Sequence, residues 1–261
     1  MSGPPEPSTS KRFTSWVLVV GIVVVLAGVG TGLGLSLVGS SAKPTGSTTA
    51  APAARYPTVV GPEGVPVPLA PVLASTSSMA HGQPVDGILC ELNPKLVLHV
   101  HTHLAVFVNG SPRQIPYGIG IVPPRQLQHT LNGIFAVSGR CLYWLHTHAA
   151  DGIIHIETPV HRQFTLGDFF NIWGQPLGPD QVGPARGPVT TYVNGRRFKG
   201  NPTGVPLGKL VTIQLDVGTP APAPIPVHFP PALAGKGGPG SNSGCSATAQ
   251  VCKPVTQRSS S

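Results

Sequence analysis

The triplet His-Thr-His occurs twice in this chain of 261 residues, each time within a run that alternates between polar and apolar residues. The two runs are predicted as strands over 96–108 and 142–148. Successive side chains of a strand point to opposite faces, so each run places its histidines on one face and its apolar residues on the other. This pattern constrains the chain to a β-sheet with one face that bears histidines.

A third alternating run, over 153–158, follows the second triplet. The two residues between them are Asp-Gly, which favour a type I′ hairpin turn. With that turn as the loop, the register predicts that His148 faces His155 and that His146 faces Glu157. The side chains of both triplets and of this hairpin are then expected to converge on one polar pocket.

The remaining patterns add short strands and one helix. A helix is predicted after Thr165, which is a good N-cap, and is expected to end at Gly174. Two further hairpin turns are predicted at Asn-Gly pairs, at 109–110 and 194–195. Further strands are predicted over 113–116, 134–138, 190–193, 196–199 and 210–217. The predicted fold class is mainly β (α+β), a small antiparallel β domain with one short packed helix.

A single transmembrane helix is predicted before this domain. Residues 16–38 carry no charge, and their length is sufficient to span a bilayer. Lys11 and Arg12 precede the apolar run and predict a cytoplasmic N-terminus with the rest of the chain outside the cell. A retained signal anchor in the cell membrane is favoured, and cleavage near 41–42 is the alternative.

Composition predicts the remaining domain boundaries. The segments that flank the histidine strands are poor in charge and rich in proline, glycine, serine and alanine, which is typical of linkers and disordered tails. The predicted organisation is a cytoplasmic N-terminus (1–15), a signal anchor (16–38), a linker (39–83), an extracytoplasmic β domain (84–218) and a disordered tail (219–261).

The charge pattern indicates few classes of partner. The formal net charge is +8, but the basic residues are scattered and match no nucleic-acid-binding motif, so no nucleic acid is predicted. A cell-envelope partner is left open. The spacings of Gly28, Gly30, Gly32 and Gly34 favour a homodimer through the transmembrane helix.

The four cysteines are expected to form disulfides outside the cell. Cys90 lies shortly before the first histidine strand and Cys141 shortly before the second, which favours a bridge between them. Cys245 and Cys252 would then close a small loop. Other pairings, and a metal site that uses cysteine and histidine, stay open.

Imidazole is a common ligand for zinc and copper, and converging rings on strands suit a metal site. Met1 and Met79 lie far from the histidines in sequence, so zinc or Cu(II) is predicted rather than thioether-bound Cu(I). Asp151 is an alternative oxygen ligand. The candidate metal ligands are His101, His103, His146, His148 and His155, with His99 and Glu157 as further ligands or supporting residues.

Three functions fit this pattern. The first is a membrane-anchored, extracytoplasmic metal-binding protein. The second is a metal-dependent enzyme of hydrolase or lyase type, in which Glu157 acts as general base beside an open coordination position. The third is a metal-free interaction module of the cell envelope, in which the histidines form a pH-sensitive surface.

The histidine motifs also resemble an uncharacterised family of predicted exported or membrane-anchored microbial proteins. The resemblance rests on the motifs at Leu145–His148 and Gly152–Glu157, with His99–His103 upstream, and it covers about 90–217. Relatives often carry an acidic residue directly after the second triplet, where Ala149 stands here. The resemblance implies an exported domain with these bounds and implies no activity.

Overall fold

A seven-stranded sheet forms the centre of the described chain. The computed structural model describes residues 56–235. Its helices are α1 (Leu166–Trp173), α2 (Pro231–Ala234) and a 3₁₀ turn (Pro202–Gly204). Its strands are β1 (Thr58–Val60), β2 (Pro66–Pro68), β3 (Cys90–Glu91), β4 (Leu98–Val108), β5 (Ser111–Arg113), β6 (Gln126–Thr130), β7 (Gly133–Ser138), β8 (Leu142–Tyr143), β9 (Leu145–His146), β10 (Ile153–Thr158), β11 (Leu177–Gly178), β12 (Gln181–Val182), β13 (Ala185–Arg186), β14 (Val189–Val193), β15 (Arg196–Phe198) and β16 (Val211–Val217).

The strand order of the large sheet is β15-β14-β16-β4-β10-β9, and β5 also pairs with β4. The mainly β class is confirmed. The prediction of an antiparallel domain needs one correction, because β4 and β16 run parallel at the centre of the sheet. The long segment 109–210 separates them, which allows β16 to return in the same direction as β4.

Two of the three predicted hairpin turns are confirmed. Asn109 and Asn194 have φ values of 50°, and the glycine after each has a φ of 75° and 74° respectively, as a type I′ turn requires. The prediction of a type I′ turn at Asp151-Gly152 is wrong, because Gly152 has a positive φ, at 81°, but Asp151 does not. The Asp151 carboxylate instead accepts a hydrogen bond from the backbone N–H of Ile153 at 3.2 Å.

The hairpin between β9 and β10 therefore has a longer loop, over 147–152. Its register pairs His155 with His146, where the sequence predicts that His148 faces His155 and that Glu157 faces His146. The shift is two residues. Because side chains alternate with a period of two, each side chain still points to its predicted face.

The predicted helix is confirmed. Thr165 and Asp168 form a capping box at the N-terminus of α1, and Gly174 ends the helix with a φ of 68°. The helix buries Phe169, Phe170 and Trp173 in a core that also contains the apolar side chains of β4. This core covers the sheet face opposite the histidines.

The histidine face is covered by the two ends of the described chain. Val65, between β1 and β2, packs with Ile153 of β10 and with Leu233 of α2. Residues 56–83 and 219–235 therefore belong to the fold, and its bounds extend beyond the predicted 84–218 at both ends. These segments are rich in proline and small residues, which is why their composition resembles that of a linker.

The predicted disulfide between Cys90 and Cys141 is confirmed, with 5.3 Å between the Cα atoms. Residues 1–55 and 236–261 lie outside the described residues, and with them the cytoplasmic N-terminus, the signal anchor, its glycine dimer motif and the Cys245–Cys252 pair. Within 56–235, no helix combines the length and the apolar composition needed to cross a bilayer.

A buried carboxylate in β16 yields a prediction on pH-dependent stability. Burial raises the pKa of Asp216 to about 6, although the amide of Gln214 donates to both carboxylate oxygens and lowers it. The native pKa lies above the ordinary value, so the carboxyl group stabilises the fold below about pH 4 and loses that contribution as pH rises through 6.

Asp216→Asn should therefore stabilise the protein at neutral pH. We expect its free energy of unfolding to exceed that of wild type by about 3 kcal/mol at pH 7.5 and to be similar at pH 4, because the pKa is raised from 3.8 to about 6 and each unit corresponds to about 1.4 kcal/mol. Urea denaturation at both pH values measures this. Asp180→Asn, on an exposed side chain, is the matched control. An equal difference at both pH values would contradict the prediction.

Candidate metal centre

Three histidines form one row across adjacent strands. In the register of the sheet, His155 of β10 lies directly opposite His101 of β4 on one side and His146 of β9 on the other. Directly paired residues point to the same face, so the three rings meet above the sheet. The ring centroids are 4.6 Å apart between His101 and His155 and 5.4 Å apart between His146 and His155.

A second row and the β9–β10 loop complete the cluster. Glu157 lies opposite His99, and its Oε1 is 3.0 Å from His99 Nε2. His148 extends from the loop, with its Nε2 3.1 Å from His146 Nε2. Its ring stacks on Phe135 of β7, with 4.7 Å between centroids. The alternation of the strands thus brings five imidazoles and one carboxylate together.

Backbone carbonyls determine the tautomers of three rings. The Nδ1 atoms of His101, His146 and His148 lie within hydrogen-bond distance of the carbonyl oxygens of Leu233, Tyr143 and Ala136, respectively. A carbonyl oxygen only accepts, so each Nδ1 carries the ring proton and each Nε2 keeps its lone pair. The two Nε2 atoms of His146 and His148 therefore face each other at 3.1 Å with no proton between them.

His155 is held between two carboxylates. Its Nε2 donates to Glu63 Oε1 at 2.7 Å. Its Nδ1 is buried without a hydrogen-bond partner and lies 3.5 Å from Glu157 Oε1. Burial alone would lower the pKa of His155, but Glu63 and Glu157 raise it to about 10. In the ion-free protein, a protonated His155 supplies positive charge between the two carboxylates.

The other buried imidazoles are neutral at physiological pH. Burial lowers the pKa of both His101 and His146 to about 4, and it holds the pKa of His148 well below its usual value. Burial would raise the pKa of Glu157, but the adjacent rings of His155 and His99 hold it far below its usual range. Neutral imidazoles and an ionised carboxylate are the protonation states that metal binding requires.

The donor atoms form two overlapping sets, in each of which one donor atom per residue lies within 4.8 Å of the others. One set is His146, His148, His155 and Glu157, and the other is His99, His101 and His155. A metal about 2.1 Å from each nitrogen allows donors to be up to about 4.2 Å apart. In the first set, Glu157 Oε1 lies 4.0 Å from His146 Nε2 and 3.5 Å from His155 Nδ1. The buried histidine cluster can therefore hold a metal ion.

Two predicted candidates lie in neither set. His103 pairs with Ile153 at the start of β10, two residues along the strands from the row, and its buried Nδ1 has no hydrogen-bond partner. Its ring instead borders a separate cavity of about 310 Å³. Asp151 lines the same cavity, and one of its oxygens is committed to the backbone of Ile153. The cluster as a whole uses His99, which the sequence assigns only as a further ligand or supporting residue.

The sequence interpretation missed the residues that orient the rings. Glu63 lies in the predicted linker, and Leu233 lies in the predicted tail. One signal was present, because Glu63 is the only acidic residue in 39–83. The carbonyl oxygens of Ala136 and Leu233 have no sequence signal, since every residue carries one.

The histidine cluster offers little exposed surface for the pH-sensitive interaction of the third function. Within the cluster, only His99 is substantially exposed, with 41% of its side chain accessible. His101, His146, His148 and His155 are all buried. Rings with a pKa of about 4 change charge well below the range near pH 6.5 that such a surface would need.

No protein-family model, curated protein or solved structure matches this chain. The resemblance to exported microbial proteins stays a prediction.

Proposed function

We propose that the protein is a membrane-anchored, extracytoplasmic metal-binding protein that holds one zinc or Cu(II) ion in the first donor set. The ligands in this proposal are His146, His148 and His155, with Glu157 as the fourth donor. The ion would displace the proton from His155 Nδ1 and would fill the space between the facing Nε2 atoms. His101 and His99 lie beside this position.

The observation that carries the proposal is the set of hydrogen bonds from Nδ1 to backbone carbonyls. Histidine ligands of metals usually donate their other ring N–H to a carbonyl or carboxylate, which orients the ring and its lone pair. Here His146 and His148 donate to the carbonyls of Tyr143 and Ala136. His155 donates to Glu63, which leaves its buried Nδ1 without a partner.

The chemistry of the donors favours zinc or Cu(II). Imidazole nitrogens with one carboxylate suit both ions, whereas Cu(I) favours thiolates and thioethers. Met79 lies in the apolar core, and Cys90 and Cys141 are bonded to each other. No sulfur atom of the described residues therefore belongs to either donor set.

The location outside the cytoplasm remains part of the proposal. The disulfide between Cys90 and Cys141 supports it, because such bonds persist in oxidising compartments. The uncharged run over 16–38 supports an anchor in the cell membrane. Protease protection of the N-terminus in intact cells, with digestion of the domain from outside, would test this topology.

Metal loading tests the proposed function directly. The full-length protein in detergent would be dialysed against Zn²⁺ or Cu²⁺, freed of unbound ion and analysed for metal and protein content. We expect about one tightly bound ion per chain, since residues 56–235 contain one complete four-donor set. A protein that retains no ion in stoichiometric amount would contradict the proposal.

A second candidate is a metal-dependent enzyme of hydrolase or lyase type. Glu157 favours it, because its side chain is 22% exposed and lies at the solvent side of the cluster. If the three histidines alone hold the ion, the fourth position takes water and Glu157 is placed as general base. Cobalt substitution distinguishes the two, because exchangeable bound water is expected only for the enzyme.

Glu63 should support the site without binding the ion. Glu63→Gln removes the carboxylate that orients His155, and we expect the metal dissociation constant to rise about 10- to 100-fold, as for other outer-shell partners. Competition with a chromophoric chelator measures the affinity. Glu91→Gln, on a carboxylate that accepts from Trp144 outside both donor sets, is the control. Equal affinities for Glu63→Gln and wild type would contradict the assigned role.

A further inference from the structure

The two donor sets of the cluster share one residue, His155. The inner set adds His146, His148 and Glu157 to it, whereas the outer set adds His99 and His101. Both sets lie on the same face of the sheet. His155 stands between His101 and His146 in the row across the strands.

The shared residue can serve only one ion at a time. The Nε2 of His155 is committed to Glu63 at 2.7 Å, so its Nδ1 is the atom that remains for a metal. A single lone pair on Nδ1 binds a single ion. The inner and outer sets are therefore alternative positions for one ion and not two sites that fill together.

Exposure to solvent differs between the two positions. The side chain of His99 is 41% exposed, whereas that of His146 is 1% exposed and that of His155 is 8% exposed. An ion that arrives from solvent therefore meets His99 before it meets His146 and His155. The ring of His101 lies 4.8 Å from that of His99, measured between centroids, and its Nδ1 is held by the carbonyl of Leu233.

Glu157 connects the two positions. Its Oε1 lies 3.0 Å from His99 Nε2 and 4.0 Å from His146 Nε2. An ion bound at His99 would take the place of the hydrogen bond between His99 and Glu157. The carboxylate is then free to bind the same ion as it moves towards His146.

We propose that His99, His101 and His155 form an outer metal position through which an ion reaches the inner one. This rests on the proposed function, because it assumes that the inner set holds the ion at equilibrium. His99 captures the ion, and His155 and Glu157 remain within reach while His146 and His148 replace His99 and His101. The outer position is a route for uptake and not a second store.

The rate of zinc uptake tests this proposal. In stopped-flow transfer of Zn²⁺ from a chromophoric chelator to the full-length protein, we expect His99→Ala to slow uptake at least about tenfold. The equilibrium affinity should change less than about threefold, since capture and final binding use different ligands. His161→Ala, on an exposed histidine outside both sets, should load at the wild-type rate.

A second measurement isolates the outer position. The variant His146→Ala/His148→Ala removes two inner ligands, and it should keep a weaker Cu²⁺ signal in electron paramagnetic resonance. Adding His99→Ala to it should abolish that signal. A signal that survives the triple substitution would overturn the outer position.

The outcomes separate the two proposals. If the wild-type protein binds no zinc or copper, the proposed function fails. If wild type binds one ion but His99→Ala loads it as fast as wild type does, the metal centre stands and the uptake route is overturned.

Discussion

Replacing His146 and His148 together with alanine is expected to weaken zinc or copper binding by about a thousandfold or more. The loss should exceed the 10- to 100-fold effect of removing an outer-shell partner, because two first-shell nitrogens disappear. These are the Nε2 atoms that face each other at 3.1 Å with their lone pairs free. Isothermal titration and chelator competition on the full-length protein measure the change.

His103→Asn is the informative control for this experiment. The sequence places His103 among the metal ligands, whereas the structure places it in neither donor set. We expect the affinity of this variant to stay within about threefold of wild type, since its ring contributes no first-shell donor. A loss as large as that of the double variant would return His103 to the ligand set and contradict the geometry. Circular dichroism would verify that both variants are folded.

Removing the disulfide is expected to have the largest effect on stability. Cys90 and Cys141 are separated by 51 positions, and on the loop-entropy model a closed loop of this length contributes about 4 kcal/mol. The loop contains β4 and β7, which supply metal-centre residues. Cys90→Ser/Cys141→Ser should therefore lower the free energy of unfolding by about 4 kcal/mol in urea denaturation with a metal chelator present.

The control for this prediction is chemical reduction. Wild type treated with dithiothreitol should unfold at the same urea concentration as the double serine variant, because both lack the cross-link. A loss of stability below about 1 kcal/mol in the serine variant, relative to oxidised wild type, would contradict the prediction. The bridge would then not constrain the unfolded chain as the loop-entropy model assumes.

The histidine face could be predicted from the sequence because it depends on a local rule. Alternation along β4 and β10 determines which side chains share a face, whatever their strands pair with. Because the turn at 151–152 was predicted wrongly, the predicted register differs from the observed one by two residues. His155 therefore pairs with His146 and not with His148, but it points to the predicted face. An even shift preserves a pattern whose period is two.

The cover of that face could not be predicted in the same way. Val65 and Leu233 lie in segments rich in proline and small residues, where prolines interrupt the short alternations at 65–69 and 225–229 that would otherwise indicate strands. Their burial depends on a sheet surface that forms from distant parts of the chain. Glu63 and the Leu233 carbonyl reach the histidines only because these segments pack there.

The parallel pairing of β4 with β16 at the centre of the sheet could not be predicted for a similar reason. Alternation of polar and apolar residues, together with Asn-Gly turns, indicates hairpins, and the two strands of a hairpin are always antiparallel. The pairing of β4 with β16 joins strands that are far apart in sequence, and no turn signal marks such a contact. Predictions from local patterns were therefore right at the two Asn-Gly hairpins and at α1, and incomplete at long-range pairing.

X-ray absorption spectroscopy of the full-length protein loaded with one equivalent of Zn²⁺ tests most directly whether the imidazole rings of the cluster converge on one ion. We predict about four nitrogen or oxygen donors at about 2.0–2.1 Å, with the multiple scattering of about three imidazoles. A sulfur shell near 2.3 Å, or an oxygen shell without imidazole scattering, would contradict the assignment of His146, His148 and His155 as the ligands.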